Sequence, residues 1–460
     1  MITRDFKKEP DYLIEVLAKT INGFFPDIGK WVGKIKDPRM IKKIKYDLSI
    51  LYWTGIFLFL FKLESTRNIN YCLGDEEKFL NNFTALFPIF GIMKSELEKL
   101  PDHQTLKYLL KKISPLELEK IQVKAVKRLI KKRVLEKFKL FGVYYLIAVD
   151  GTKIIKFKER HCENCLSKKI SEDKEGNPVY EYYHYVLAVD LVTKNKLSIP
   201  ILTEFVENEN PHVTKQDCEL KAFYRMEKRL KEYFPKTKLC LLMDALYDGQ
   251  PTFDIHKKNN WKYVINYKDK TIPTVTEEYR ESVDDEENKN NRATLHVNKD
   301  TKQEFNWVND IEYQGHYLHI LECLETKIEK GKRIKKKFVW ISSFKVTKYN
   351  YHLISNEGGR CRWKIENQKI NCQKNEGYEL EHAYCKNYNA MKSFYYLLQV
   401  AHSINQMIEK GDLIEDVIKK CGSKKNFYKK FWHAFIGYVI DCHIIEKVIN
   451  SSFQIRLDSS

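Results

Sequence analysis

Through the first 140 residues, apolar positions recur three or four apart. DYLIEVLAKTINGFF, EKFLNNFTALFPIFGI and HQTLKYLLKKI each carry one apolar stripe, which predicts amphipathic helices. A further helix opens at Ser114-Pro115, an N-cap and first-turn pair. The run at 48–61, LSILYWTGIFLFLF, is apolar over 14 residues and is closed by Lys62. A bilayer span needs about 18 or more residues, so this run predicts a buried core helix.

At Tyr144 the period changes. YYLIAVD is a short apolar run ending in an acid, and YEYYHYVLAVDLVT and KLSIPILTEFVE follow as strand-like runs joined by the short turn TKNK. QDCELKAFYRMEKRLKEYF returns to a helical period. KLCLLMDALYD is another apolar run reaching an acid, FDIHKKNN a short helix, and WKYVINYKD a strand. The order β-β-β-α-β-α-β predicts a mixed α/β sheet. TEEYRESVDDEENKNNR then predicts an exposed acidic loop. ATLHVN, EFNWVNDIEYQ, YLHILECLETKI and KKKFVWISSF alternate like antiparallel strands, with the basic run KGKRIKKK at 330–337 as a turn. Helix resumes after Tyr349, and small helices close the chain. The expected division is a helical N-terminal domain at 1–140, a core at 141–270, a β-rich insertion at 271–344, the rest of the core at 345–410, and a helical segment at 411–460.

Charge narrows the class of partner. Lys and Arg number 80 against 62 Asp and Glu, a formal net charge of +18 over 460 residues. That excess fits a polyanion. Between Lys120 and Leu140 stand nine basic residues and one acid, Glu136, which reads as a solvated helix face or as a phosphate-tracking surface. The opening MITRDFKKEPDY has no apolar h-region, so no secretory signal is expected. Eleven Cys without an export signal read as reduced thiols in the cytoplasm. HExxH, GxSxG and GxxxxGK[ST] do not occur, which removes the standard zinc-protease, serine-hydrolase and P-loop readings.

Three acids stand out by position. Asp150 ends one apolar run and is followed by Gly151-Thr152, Asp244 ends a second, and Glu366 lies in the helical segment RCRWKIENQ. Singly, each strand-end acid reads as a cap or turn residue. Together, two acids on neighbouring strand ends and a third from a helix suit two divalent cations, Mg²⁺ or Mn²⁺. Such a pair, about 4 Å apart, serves phosphoryl transfer. Arg362, four residues before Glu366, is placed to hold a phosphate or to form an ordinary ion pair. Trp307 is a candidate for base stacking, or a core residue. A second constellation is His161-Cys162 and Cys165, a C-x2-C half-site. With Cys218, and His161 or His184, it would make a closed zinc site; reduced, unliganded thiols are the other reading. Cys361 and Cys372, flanking Glu366, read as packing residues.

IAVDGT around Asp150, LLMDALY around Asp244 and RCRWKIENQKINCQK around Glu366 together resemble the DDE transposases of bacterial insertion sequences. HCENCL, KQDCE and GYELEH add to the likeness, which covers about 140–410. The resemblance implies a ribonuclease-H-like catalytic core interrupted by a β-rich insertion before the third acid. It also implies catalysis by Asp150, Asp244 and Glu366 with two Mg²⁺, action on the terminal repeats of an element and on target double-stranded DNA, and a homodimer in the bacterial cytosol. In the family motif around the third acid, Arg362 and Glu366 match. The Tyr position holds Gly359 and the Lys position Gln373, so Lys369 or Lys374 is expected to take over the DNA contact. Rival readings are a metal-dependent nuclease of the same fold without strand transfer, and an inactive relative that only binds DNA.

Overall fold

The computed structural model describes residues 9–73, 76–93, 97–208, 213 and 215–457. Among the described residues, seven α-helices precede the first strand: α1 (Tyr12–Phe24), α2 (Ile28–Val32), α3 (Leu48–Leu60), α4 (Glu77–Ala85), α5 (Phe87–Phe90), α6 (His103–Lys112) and α7 (Pro115–Lys131). In α1 the helically spaced Leu13, Leu17, Ile21 and Phe24 are all buried. The Asp102 carboxylate accepts from the Gln104 N–H and caps α6. Every residue of α3 except Ser49 is buried, as expected of a helix that is apolar all round. No helix among the described residues is long and apolar enough to cross a membrane.

The sheet begins with β1 (Tyr145–Phe157), β2 (Leu166–Glu172), β3 (Pro178–Val192) and β4 (Ser198–Val206). After α8 (Glu219–Tyr233) come β5 (Leu239–Met243), α9 (Gln250–Asn259) and β6 (Lys262–Asn266). The strands lie in the order β4-β3-β1-β5-β6; β4, β3 and β1 are antiparallel, and β1, β5 and β6 parallel. β2 departs from the predicted order. It shares the outer edge of β3 with β4, and only Leu166 of it is buried. A strand wet on both faces carries no apolar alternation, so its sequence reads as loop.

The acidic stretch expected to be a loop starts as α10 (Pro273–Ser282), which buries Val275, Thr276 and Tyr279. Then follow β7 (Arg292–Asn298), β8 (Thr301–Tyr313), β9 (His316–Glu329) and β10 (Lys332–Ser342), an antiparallel meander. β10 pairs with β6 through Trp340, Ile341 and Ser342, so all these strands form one ten-stranded sheet. The pairing covers what would otherwise be the exposed edge of β6. The basic run at 330–337 is not all turn: Lys330 and Gly331, with φ of 49° and 76°, make the tight turn, and β10 begins at Lys332.

The chain closes with α11 (Asn371–Asn375), α12 (Tyr388–Lys410), α13 (Glu415–Cys421), α14 (Lys424–Gly437) and α15 (Cys442–Asn450). α12 is buried along most of its length and packs on α3, α6 and α7. The helices at both ends of the chain therefore share one apolar core with a face of the sheet. A buried knot ties these layers. Glu119 of α7 accepts from Arg229 of α8 at 2.9 Å and from Tyr396 of α12 at 2.7 Å. The opposite face of the sheet has its own core, built from Ala148, Leu242, Trp307, Trp340, Cys361 and Ile365.

Candidate acid cluster and Cys/His site

β1 outruns its parallel neighbour. Its register with β5 ends at Ala148↔Leu242. Two residues further on, the same register sets Asp150 beside Asp244, on strands about 4.8 Å apart. β1 does not end at Asp150, as the sequence suggested, but continues along β3 to Phe157. Asp244 is the first residue past β5, and its carboxylate accepts from the Leu246 N–H at 2.9 Å. Glu366 reaches the same region from the segment between Leu353 and Ile370, which winds through π and 3-10 turns where a regular helix was expected. Irregular turns of this kind gather at functional sites.

The acids feel one another. Burial pushes the Asp150 carboxyl up to about 6, Arg362 opposes this, and Glu219, Asp244 and Glu366 add to it. Arg362 pairs with Asp150 at 3.3 Å, and this is the partner that an i,i+4 reading with Glu366 did not foresee. Asp248, four residues past Asp244, is also raised to about 6, chiefly by burial.

Glu219 is the acid that sequence reasoning missed. It stands in the first turn of α8 and accepts from the hydroxyls of Tyr185 at 2.8 Å and Tyr247 at 2.7 Å. A Cβ at Gly151 would lie 2.1 Å from the Tyr185 hydroxyl oxygen and 2.4 Å from Glu219 Oε2. The glycine after Asp150 is thus what lets α8 bring this carboxylate against β1. An acid in a first helical turn ordinarily reads as a complement to the helix dipole, which hides it. The signal in the sequence is its place directly after a strand and loop, in KQDCE.

Among the described residues, Asp150, Asp244 and Glu366 do not bring their oxygens all within 4.8 Å of one another. Two ions about 4 Å apart do not require that they should, since each ion draws on different acids.

The expected DNA contacts fare differently. Arg362 lies at the acids. Lys369 is 1% exposed and forms an ion pair at 2.6 Å with Asp190, which is fully buried and also accepts from Ser198 Oγ. It offers nothing to DNA, because its charge is spent balancing a carboxylate inside the core. Lys374 is partly exposed and pairs with Glu381 at 2.9 Å. Trp307 is 1% exposed and stacks on Tyr351 with centroids 5.7 Å apart; it is core and presents no free face to a base. The departures from the family motif have physical reasons. A Cβ at Gly359 would lie 2.2 Å from Trp340 Nε1, so an indole fills the place of the motif's Tyr. Gln373 is buried and exchanges hydrogen bonds with Gln399.

The Cys/His constellation is brought together with a changed membership. Cys162 Sγ lies 3.5 Å from Cys165 Sγ and 3.4 Å from His184 Nε2, and Cys165 Sγ lies 3.7 Å from the same nitrogen. His161 turns away: its Nε2 lies 2.9 Å from the Lys386 carbonyl and its ring stacks on Phe157. Cys218 is exposed at the N-cap of α8 and is not in the group. Cys361 and Cys372 are buried, as packing residues would be. A second group, Asp441, Cys442 and His443, is exposed, and its aspartate caps α15.

No family model matches the chain, and no curated protein matches it at a significant level.

Proposed function

We propose that this chain is a DNA transposase of the DDE type, which cleaves at the ends of a mobile element and joins the freed 3′ ends to target DNA. The observation that carries the reading is the convergence of Asp150, Asp244 and Glu366, from three separate elements, on one side of the sheet. Its electrostatics point the same way: a carboxyl pushed up to about 6 beside further acids is a site short of positive charge. The strand order β4-β3-β1-β5-β6, three antiparallel and then two parallel, is the pattern expected of a ribonuclease-H-like core.

The donor set suits Mg²⁺ or Mn²⁺: all oxygen, all anionic, and none of the three side chains fully buried. Asp150, Asp244 and Glu366 would hold the ions, with Glu219 adding charge behind Asp150. When bound, two such ions activate a water or 3′-hydroxyl and stabilise the leaving oxygen. The chain's own part is to hold these carboxylates in place. The Gly151 N–H donates to Asp150 Oδ1 at 3.1 Å, and the Leu246 N–H holds Asp244. Arg362, beside Asp150, is placed to meet a phosphate oxygen once cations take over its carboxylate.

The substrate class follows from charge and shape. The β9–β10 hairpin projects with every residue from Lys327 to Lys337 exposed, and six basic residues lie within 330–337. A basic arm of this kind suits the backbone of duplex DNA. Cutting and joining two ends together calls for two copies of the chain in the active complex.

The test is a strand-transfer assay with the element's end DNA and a target plasmid in Mg²⁺. Wild type joins the end to the plasmid. Asp150→Ala, Asp244→Ala and Glu366→Ala each abolish cleavage and joining while retaining DNA binding. Cleavage without joining would replace this reading by a nuclease of the same fold. DNA binding with neither activity would replace it by an inactive relative.

A further inference from the structure

We propose that Cys162, Cys165 and His184 form a zinc site that clamps the far end of β1 to β2 and β3. A tetrahedron with Zn–S of about 2.3 Å and Zn–N of about 2.0–2.1 Å has ligand-to-ligand edges of roughly 3.5–3.8 Å. The three observed separations are 3.5, 3.4 and 3.7 Å. Two thiols and an imidazole thus already form a triangular face of the size that zinc requires.

The local sequence builds that face. The Cys165 N–H donates to the Cys162 carbonyl at 3.3 Å, so the C-x2-C turns both sulfurs to one side. Asn208 Nδ2 donates to the Cys165 carbonyl at 3.2 Å and braces the turn from the end of β4. His184 comes from β3, where it pairs with Ile155 of β1. Its ring sits between Phe157 and Tyr388. Cys165 and His184 are buried, in a place where unpaired thiol and imidazole groups gain little from water. His184 also lines a cavity of about 460 Å³ together with His161 and Cys385, which adjoins the imidazole.

The placement says what the site is for. In the β1–β3 register, His184 stands four residues before Ala188, the partner of Asp150. At about 3.3 Å per residue, that is roughly 13 Å from the acid. The ion is too far away to join in chemistry at Asp150 but is held by the same strand pair. Beyond it, β2 and the start of β3 form an arm with little buried surface. A metal at the root of such an arm replaces the apolar core that it lacks. The role is therefore structural, and it does not rest on the transposase reading.

The test uses the full-length protein, purified with reductant and without chelator. Elemental analysis should find about one zinc per chain. Replacement by Co²⁺ should give the visible d–d bands of a tetrahedral ion and the charge-transfer bands of cobalt–thiolate bonds. Cys162→Ser, Cys165→Ser and His184→Ala should lose the metal, while Cys218→Ser keeps it. Because the ligand variants can fail to fold, thiol titration of the folded wild type gives a second reading. Two thiols should become reactive only after a chelator is added. Folded protein without zinc, or with a Cys162–Cys165 disulfide in its place, would overturn the proposal, as would loss of zinc from Cys218→Ser.

Discussion

Replacing Asp150 by Asn should stabilise the cation-free protein at neutral pH and should not do so in acid. Burial and neighbouring acids raise the Asp150 carboxyl from an ordinary 3.8 to about 6. The folded state therefore holds this proton more tightly than the unfolded chain. Above pH 6 the folded protein bears a charge it disfavours, and below the unfolded value of 3.8 that penalty is gone. A difference of about two pKa units corresponds to about 3 kcal/mol at pH 7 and above. Asn carries no charge at any pH, so its advantage over Asp should grow by about 2–3 kcal/mol between pH 4 and pH 8. With an unfolding entropy of about 2 cal/mol/K per residue, a chain of this length should shift its Tm by about 3 °C. Any cost of leaving Arg362 short of a partner is the same at each pH and drops out of the trend. The assay is thermal melting of both proteins in EDTA across that range, repeated with Mg²⁺. Saturating Mg²⁺ should raise the Tm of wild type and leave that of Asp150→Asn nearly unmoved. A pH-independent difference between the two proteins, or equal stabilisation of both by Mg²⁺, would refute the reasoning.

Lys369→Met should cost about 3–5 kcal/mol, because it leaves the Asp190 carboxylate buried and unpaired; adding Asp190→Leu should recover much of the loss in denaturant melts, and a single variant as stable as wild type would show the pair to be hydrated. Lys332→Gln, Lys335→Gln and Lys336→Gln combined should leave the fold intact, since all three are exposed on the β9–β10 arm. Their loss should reduce the slope of log K against log salt by about 1–3 if the arm lies on DNA, each phosphate contact contributing about 0.9; an unchanged slope would make the arm a solvated surface.

Local pattern was enough to place most elements. The helical spacing before residue 140, the apolar runs at 145–149 and 239–243, and the acids that follow them depend on neighbours within a few residues, which a linear reading sees. The wholly apolar run at 48–61 could only be buried, and α3 is. What the pattern could not supply is pairing across distance. β2 has hardly an apolar residue to announce it, and exists because β3 offers an edge. Lys369 looks like a surface cation until Asp190, 179 positions away, is set against it. Trp307 looks available for stacking until Tyr351 covers it. Glu219 looks like a helix-start acid until a glycine on β1 lets it in. Of the candidate zinc ligands, spacing identified the C-x2-C but could not choose between His161 and His184. That choice belongs to the β1–β3 register, which points the ring of His184 at the sulfurs and leaves His161 to the Lys386 carbonyl. Charge, period and capping act over a few residues and are written along the chain; which buried polar group meets which is decided only when the sheet closes.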